Sequence, residues 1–137
     1  MNNIIQILNS NHFLFRSHMY KLIPFIQHID IDYTKYIRHN NNTYDRNIIY
    51  KNNLFEIVII NWMPNQYSKI HGHPENGCIM KVLDGCLYES RKVDNYILDY
   101  YHDINNTSFV TDKHYIGNYT NKPSISMHIY SPPNYYK

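Results

Sequence analysis

Apolar residues in the first part of the chain recur at helical spacing. Residues 3–8 and 17–29 carry isoleucine, leucine and methionine at mixed helical intervals, which predicts short helices with a break near Asn9–Asn11. A further short helix is predicted over residues 32–39, where two tyrosines and an isoleucine share one face. Nothing in this region demands chemistry, so we expect residues 1–40 to form a helical cap over a core.

From Thr43 onward the pattern becomes that of strands. The run Leu54–Trp62 is apolar on both faces, as in a strand buried on both sides. The other predicted strands are Ser68–His71, Gly77–Leu83, Cys86–Lys92, Tyr96–Tyr101, Ser108–Thr111, His114–Tyr119 and Ser124–Tyr130. Asp84-Gly85 predicts a two-residue hairpin turn. Short strands with turn signals at fairly even spacing predict an all-β sandwich or barrel over residues 43–133.

Composition narrows the class of protein. A chain of 137 residues is long enough for one domain with its own core. The net charge of +2, without a block of like charge, argues against nucleic acid as a partner. No apolar run reaches the length of a membrane helix, and the first residues lack the basic stretch of a signal peptide. We therefore expect one domain that acts on a small molecule rather than on nucleic acid or a membrane.

The two cysteines bear on the cellular compartment. If Asp84-Gly85 forms a hairpin, Cys78 and Cys86 lie five strand positions apart, or about 17 Å. That separation is too large for a disulfide. A reducing compartment follows, so we expect a cytoplasmic protein. The abundance of Asn, Ile, Lys and Tyr indicates an AT-rich genome of viral or parasitic type, and a viral protein would act in the host cytoplasm.

His71 and His73 stand two positions apart. In an extended strand they point to the same face and offer two imidazoles to one metal ion, for which Fe, Zn, Cu and Ni are all suitable. The pair alone is weak evidence in a chain with nine histidines, since two strand histidines with satisfied hydrogen bonds explain it equally well. Five other histidines are expected to be ordinary. His12, His18, His28 and His39 are expected to be surface residues, and His102 an ordinary strand or loop residue.

Residues around this pair fall into a recognisable spacing. The two histidines, Cys78 after four further residues and Gly85 after six more resemble the first motif of the cupin superfamily, where Glu usually occupies the position of Cys78. His114-Tyr-Ile-Gly-Asn118 has the form of the second cupin motif. The resemblance implies a cupin double-stranded β-helix, a jelly-roll barrel, preceded by short N-terminal helices.

Three more segments make the resemblance sharper. Ser126-Met-His-Ile-Tyr-Ser-Pro-Pro133, Tyr44-Asp-Arg-Asn47 and Trp62 are similar to segments of the cysteine dioxygenases, in the thiol dioxygenase family. The similarity covers roughly residues 44–133. It also implies a cis peptide bond between Ser131 and Pro132. We expect a single cupin domain over residues 1–137.

The resemblance implies a metal site of three histidines. His71, His73 and His114 would hold Fe(II), where the commoner oxygenase pattern has two histidines and a carboxylate. Three neutral imidazoles leave the full charge of a divalent ion, and a bound thiolate would supply the missing anion. Glu75 is an alternative carboxylate ligand, although the family places none at its position.

A second group of residues is implied on the oxygen side of the metal. Ser126, His128 and Tyr130 alternate, so they face one side of their strand and can form a relay of hydroxyl, imidazole and phenol. A strand with a polar inner face is the alternative, but it would be costly without partners. In the family, the cysteine at the position of Cys78 forms a thioether with this tyrosine. A buried free cysteine is the alternative for Cys78.

Arg46 and Tyr44 match the family residues that bind the substrate carboxylate. A guanidinium suits bidentate recognition of a carboxylate, and Tyr44 could add a hydrogen bond. The alternative for Arg46 is a strand residue paired with a surface acid.

The reaction implied by the resemblance is oxidation of L-cysteine with O2 to cysteine sulfinic acid. The alternatives are a dioxygenase of another small thiol, 3-mercaptopropionate or cysteamine, and a cupin that binds metal without turnover. Longer members of the family continue for several tens of residues past Pro133, so we expect this chain to shield its site less. A monomer is the simplest assembly, but the sequence does not fix it.

Overall fold

The computed structural model describes residues 1–136, and its first part is built from short helical pieces. The α-helices are α1 (Asn2–Ser10), α2 (Phe15–His18) and α3 (Ile23–Ile26), with single 3-10 turns at His12–Leu14, Met19–Leu22 and Thr34–Tyr36. The predicted helix over 17–29 is therefore interrupted, and the one over 32–39 is reduced to a single turn. At that turn the Asp32 side chain accepts hydrogen bonds from the backbone and hydroxyl of Thr34, and Ile37 is already extended.

Eight strands form the rest of the described chain. They are β1 (Asp45–Lys51), β2 (Glu56–Trp62), β3 (Gly77–Asp84), β4 (Leu87–Val93), β5 (Tyr96–His102), β6 (Thr107–Val110), β7 (Lys113–Gly117) and β8 (Ser124–Ser131). One sheet has the order β1-β2-β8-β3-β6 and the other has the order β5-β4-β7. All neighbouring strands are antiparallel. The predicted all-β architecture with short N-terminal helices is confirmed.

Two details of the strand prediction are wrong. Asp84-Gly85 is not a hairpin turn, because β3 and β4 belong to different sheets. Gly85 has φ +80°, and a Cβ there would lie 2.3 Å from the Ser124 hydroxyl, which itself bonds the backbone of Cys86. The chain thus bends from one sheet to the other at this point. The predicted strand Ser68–His71 is also absent, and only single bridges join this segment to β7.

The five-stranded sheet has a buried face on each side. One face packs against the helices in an apolar cluster that includes Phe15, Leu22, Ile57, Met127 and Ile129. The other face packs against the three-stranded sheet, where residues of β2, β3 and β8 meet Leu87 and Ile116. As predicted for Leu54–Trp62, every residue of β2 is buried. The space between the two sheets is where the candidate site lies.

The surface agrees with most of the remaining expectations. His12, His18, His28 and His39 are exposed. Cys78 and Cys86 are both free, although the hairpin geometry from which we predicted this was wrong. Within residues 1–136, no helix has the length and apolar character needed to cross a membrane.

Candidate metal centre

Three histidine side chains converge at the open end of the space between the sheets. His71 and His114 form an isolated antiparallel bridge, with N···O distances of 2.9 and 3.1 Å. His73 follows in an irregular segment, so the pair meets through a bend in the loop and not along a strand as predicted. Nε2 of His114 lies 2.9 Å from Nε2 of His73 and 3.0 Å from Nε2 of His71. The predicted three-histidine cluster is therefore present, with all its ligand atoms within 4.8 Å of one another.

The hydrogen bonds behind these rings define which nitrogens carry hydrogen. Nδ1 of His71 lies 2.7 Å from the Lys69 carbonyl, and Nδ1 of His114 lies 2.5 Å from a carboxylate oxygen of Glu89. Both Nδ1 atoms must donate, so both Nε2 atoms present lone pairs. Two lone pairs that face each other at 3.0 Å repel unless a cation lies between them. A divalent ion held by both Nε2 atoms would remove this repulsion, so the two rings fit a metal site.

Two of the three imidazoles, His71 and His73, are held in their neutral form. Burial lowers the pKa of His71 to about 4 and that of His73 to about 3. Neutral imidazole is the form that binds a metal ion, so protons compete with a metal only in acid. Glu75, the alternative ligand, is exposed and lies outside the cluster.

Behind His114 lies a buried carboxylate that the sequence analysis missed. Glu89 is 0% exposed, and its oxygens bond Nδ1 of His114, Nε2 of His102 at 2.8 Å and Nε of Arg91 at 2.8 Å. Burial alone would raise the pKa of Glu89, but these three donors together outweigh it and hold the pKa below its usual range. His102 lies on a strand, which was one of the two expected locations, but it is not ordinary because it is buried against Glu89. An acid alternating with the apolar Leu87 on a strand was the available signal.

Ser126, His128 and Tyr130 form the predicted chain of contacts on β8. Trp62 Nε1 lies 2.9 Å from Ser126 Oγ, Ser126 Oγ lies 2.7 Å from His128 Nε2, and His128 Nδ1 lies 3.3 Å from Tyr130 Oη. An indole N–H only donates, so Ser126 accepts from Trp62 and its own hydrogen points to His128. His128 Nδ1 then carries the hydrogen toward Tyr130, which leaves the phenol hydrogen free for a group in the cavity.

Burial controls the charge of this chain of contacts. It lowers the pKa of His128, an effect that the nearby Arg46 guanidinium reinforces, and it raises the pKa of Tyr130. Both side chains are therefore neutral near pH 7. Cys78 is the cross-strand partner of Tyr130 in the β3–β8 register, and burial raises the pKa of its thiol. The structure thus places Cys78 beside Tyr130, as predicted.

A cavity of about 410 Å³ opens beside the histidines. Its walls include Tyr44, Arg46, His71, His128 and Tyr130. Nη2 of Arg46 is buried and has no hydrogen-bond partner among residues 1–136, so the proposed pairing with a surface acid is absent. A guanidinium with a buried, unpaired donor at a cavity is arranged to receive an anion.

Tyr136 is a second residue of the site that the sequence analysis missed. Its hydroxyl donates to the carbonyl of Gly72, between the two histidines of the loop. The Arg46 guanidinium lies 4.9 Å from the centre of its ring, and the Tyr130 ring lies edge-on to it at 4.9 Å. Tyr136 follows a segment with no periodicity, so no pattern could have marked it.

The predicted cis peptide bond at Ser131-Pro132 is confirmed.

Comparison with known proteins identifies relatives of this chain. The family model described as cysteine dioxygenase type I matches residues 18–136. The type 1 cysteine dioxygenase of Danio rerio is 28% identical over 116 residues, which is 74% of this chain and 58% of that protein. The enzyme of Homo sapiens is 27% identical over 115 residues with the same coverage. The chain therefore spans 58% of the length of these relatives.

Solved structures agree on the fold. A Thermus thermophilus protein has a TM-score of 0.64 at 16% identity, covering 76% of this chain and 98% of that one. A Desulfitobacterium hafniense protein of the cupin superfamily has a TM-score of 0.58 at 11% identity, covering 71% of this chain and 84% of that one. A Klebsiella pneumoniae protein with a double-stranded β-helix domain has a TM-score of 0.61 at 17% identity, covering 76% and 90%. The predicted cupin double-stranded β-helix is confirmed.

Proposed function

This chain belongs to the cysteine dioxygenase type I family, and from that premise we propose that it oxidises the thiol of L-cysteine to cysteine sulfinic acid with O2. Fe(II), held by His71, His73 and His114, is the proposed cofactor. When bound, it would supply the redox chemistry that allows O2 to react with a thiolate.

The observation that carries the proposal is the free donor of Arg46 in the same cavity as His71. A guanidinium whose buried donor has no partner is unfavourable until an anion arrives. The substrate carboxylate is that anion in the proposed reaction, and it would place the thiol toward the histidines. Tyr44, which also lines this cavity, is the proposed second contact of the carboxylate.

Tyr130 is the proposed donor on the oxygen side. His128, which is itself held by Ser126, donates to its hydroxyl oxygen, so the phenol hydrogen is available to the reacting groups in the cavity. A donor fixed before the reaction lowers the cost of charge that develops during it. Because burial keeps Tyr130 and His128 neutral, the phenol donates a hydrogen bond without losing its proton.

A second substrate is favoured by a different observation. No acidic residue lines the described part of the cavity, so the ammonium group of cysteine finds no carboxylate partner there. 3-Mercaptopropionate has the carboxylate that Arg46 would bind and lacks the ammonium group. Cysteamine has the ammonium group and lacks the carboxylate, so the cavity suits it least.

The test is oxygen uptake by protein loaded with Fe(II) under anaerobic conditions. L-Cysteine, 3-mercaptopropionate and cysteamine are supplied separately. The sulfinic acid formed is quantified by mass spectrometry and compared with the amount of O2 consumed. We expect one sulfinate for each O2 with L-cysteine and little turnover of cysteamine. Faster turnover of 3-mercaptopropionate would reassign the substrate. Tight iron binding without O2 consumption for any thiol would mean that the chain is a non-catalytic metal-binding cupin.

A further inference from the structure

Glu89 stands apart from the other buried residues near the metal centre because it faces away from the cavity. It contacts His114 from behind and is absent from the cavity walls. Three donors, from His102, His114 and Arg91, converge on its two oxygens. A carboxylate with this many partners and no access to substrate has no direct part in the reaction. Its geometry points to an action through His114.

The sheet register explains why these side chains meet. β4 is the central strand of the three-stranded sheet, with β5 on one side and β7 on the other. Glu89 pairs with Tyr100 on β5 and with Ile116 on β7, so His102 and His114 are its diagonal neighbours, each two positions along. Diagonal neighbours on one face lie within reach of long side chains. One carboxylate on the middle strand thus connects a histidine on each flanking strand.

Two of the three metal-site histidines are oriented by different kinds of hydrogen-bond acceptor. His71 is oriented by a backbone carbonyl, that of Lys69. His114 is the one whose Nδ1 bonds a charged side chain among the described residues. A carboxylate partner fixes the imidazole tautomer and makes the opposite nitrogen a stronger ligand. The tautomer of His114 is critical, since its Nε2 faces both of the other rings at 2.9 and 3.0 Å.

We propose that Glu89 is a positioning residue that keeps the hydrogen of His114 on Nδ1, and that His102 holds Glu89 in place for this task. His102 bonds Oε1, so Oε2 remains directed at His114. Without Glu89 the hydrogen of His114 is free to move to Nε2, where it blocks the metal. This inference rests on the proposed three-histidine metal site but not on the identity of the thiol.

The first test measures metal affinity and the tautomer of His114 separately from turnover. Affinity for Co(II) and for anaerobic Fe(II) is measured by competition with a chelator, in wild type and in Glu89→Gln. The tautomer is read from long-range ¹H–¹⁵N correlations of the metal-free and Zn(II)-loaded proteins. We expect Glu89→Gln to weaken metal binding about 10- to 100-fold and to move the His114 hydrogen toward Nε2.

A matched control separates this role from a general effect of changing a buried acid. Glu56 on β2 is also buried, lies outside the cavity walls and has no hydrogen-bond partner among residues 1–136. Glu56→Gln should leave metal affinity and the His114 tautomer unchanged. Wild-type affinity and tautomer in Glu89→Gln would overturn the proposal. Failure of wild type itself to bind metal would instead overturn the metal site on which the proposed function depends.

His102 supplies a second test that does not require a change at Glu89. His102→Gln keeps a side-chain N–H near Oε1, whereas His102→Phe fills the space without a donor. We expect His102→Phe to lose several-fold in metal affinity and His102→Gln to recover most of it. Circular dichroism and thermal unfolding establish that each variant is folded. Equal metal affinity of the two folded variants would overturn the part assigned to His102.

Discussion

The two faces of the five-stranded sheet are both buried, and along β8 they are chemically opposite. Every residue of β8 is buried, yet Met127 and Ile129 point to the helices while Ser126, His128 and Tyr130 point between the sheets. Burial therefore does not distinguish a face that stabilises the protein from one that holds its site. The distinction lies in whether the buried groups are apolar or are polar groups that hydrogen-bond one another.

The face toward the helices behaves mostly as a hydrophobic core, although it contains a buried charged residue. Lys81 is buried among its apolar neighbours, and its Nζ donates to the carbonyls of Ile26, Gln27 and Ile29 at 3.0, 3.0 and 2.7 Å. These carbonyls lie at and just past the end of α3, where a helix leaves such groups without partners. Burial lowers the pKa of Lys81, but its three acceptors satisfy the ammonium group. Here a polar residue joins the cap to the sheet.

The inner face, which points toward the three-stranded sheet, holds the polar residues of the candidate site. Ser126, His128 and Tyr130 are retained there by hydrogen bonds to one another, which offset the free energy cost of burying polar groups. Such groups contribute little net stability, and their arrangement leaves a free guanidinium at Arg46 and lone pairs at the histidines. The comparison predicts that substitutions on the inner face change binding and chemistry, and those on the outer face change folding.

The largest expected effect is on metal binding when one of the three histidines is removed. His73→Ala deletes one ligand and should abolish tight Fe(II) binding, while the unfolding free energy of the metal-free protein changes little. Metal content after gel filtration, measured by inductively coupled plasma mass spectrometry, checks this. Exposed His39→Ala is the control and should keep one iron per chain. Full iron content in His73→Ala would remove this residue from the ligand set.

On the outer face the largest effect should be on stability. Ile129→Ala removes a fully buried side chain and should lower the free energy of unfolding by about 2–5 kcal/mol. Because Ile129 points away from the histidines, metal affinity should remain that of wild type. Urea unfolding of the metal-free protein and chelator competition on the folded protein measure the two quantities. A large loss of metal affinity in folded Ile129→Ala would mean that the two faces are coupled.

A substitution of Arg46 on the inner face should change substrate binding. Arg46→Ala removes a charge-assisted contact worth roughly 1.5–3 kcal/mol, so KM for L-cysteine should rise about ten- to hundred-fold. Cysteamine has no carboxylate and should be affected much less. Steady-state oxygen uptake with both thiols measures the difference, and Arg16→Ala on the exposed surface of α2 is the control. Equal losses on the two substrates would make Arg46 a structural residue.

The outcome of sequence analysis differs between the two faces. The largely apolar run Leu54–Trp62 predicted the buried strand, because burial on both sides favours apolar residues. Its two polar members, Glu56 and Asn61, are buried as well. Asp84-Gly85 was predicted wrongly as a hairpin, since the same residues also suit a bend between two sheets. Local pattern does not tell which strands will pair. That choice depends on contacts between residues far apart in the sequence.

The same limit applied to the site. The cluster of His71, His73 and His114 was predicted because a family resemblance supplied the third member. Glu89 and His102 were missed because their contact is diagonal across β4 and β5, 13 residues apart, and each is ordinary when considered alone. Tyr136 was missed because its position depends on how the chain returns over the loop after β8. These residues became visible only with the tertiary contacts.

The smallest expected effect concerns a covalent bond within the inner face. Cys78 and Tyr130 are buried cross-strand partners, and Cys78 is a free cysteine. Oxidation by O2 at an iron site could join the sulfur to the ring carbon beside the phenol oxygen, with loss of one hydrogen from each side chain. The bond would fix the phenol in one orientation and should raise activity only modestly, since His128 already holds the hydroxyl oxygen.

Intact mass spectrometry of protein cycled with Fe(II), O2 and L-cysteine should show a partial population lighter by two hydrogens. Cys78→Ser should lack that species, whereas Cys86→Ser, which changes the other free cysteine, should retain it. Peptide mapping then assigns the link to Tyr130. Because burial keeps the Cys78 thiol protonated, the bond should not form in air without iron. Normal turnover by wild type with no lighter species would leave Cys78 as a packing residue between β3 and β8.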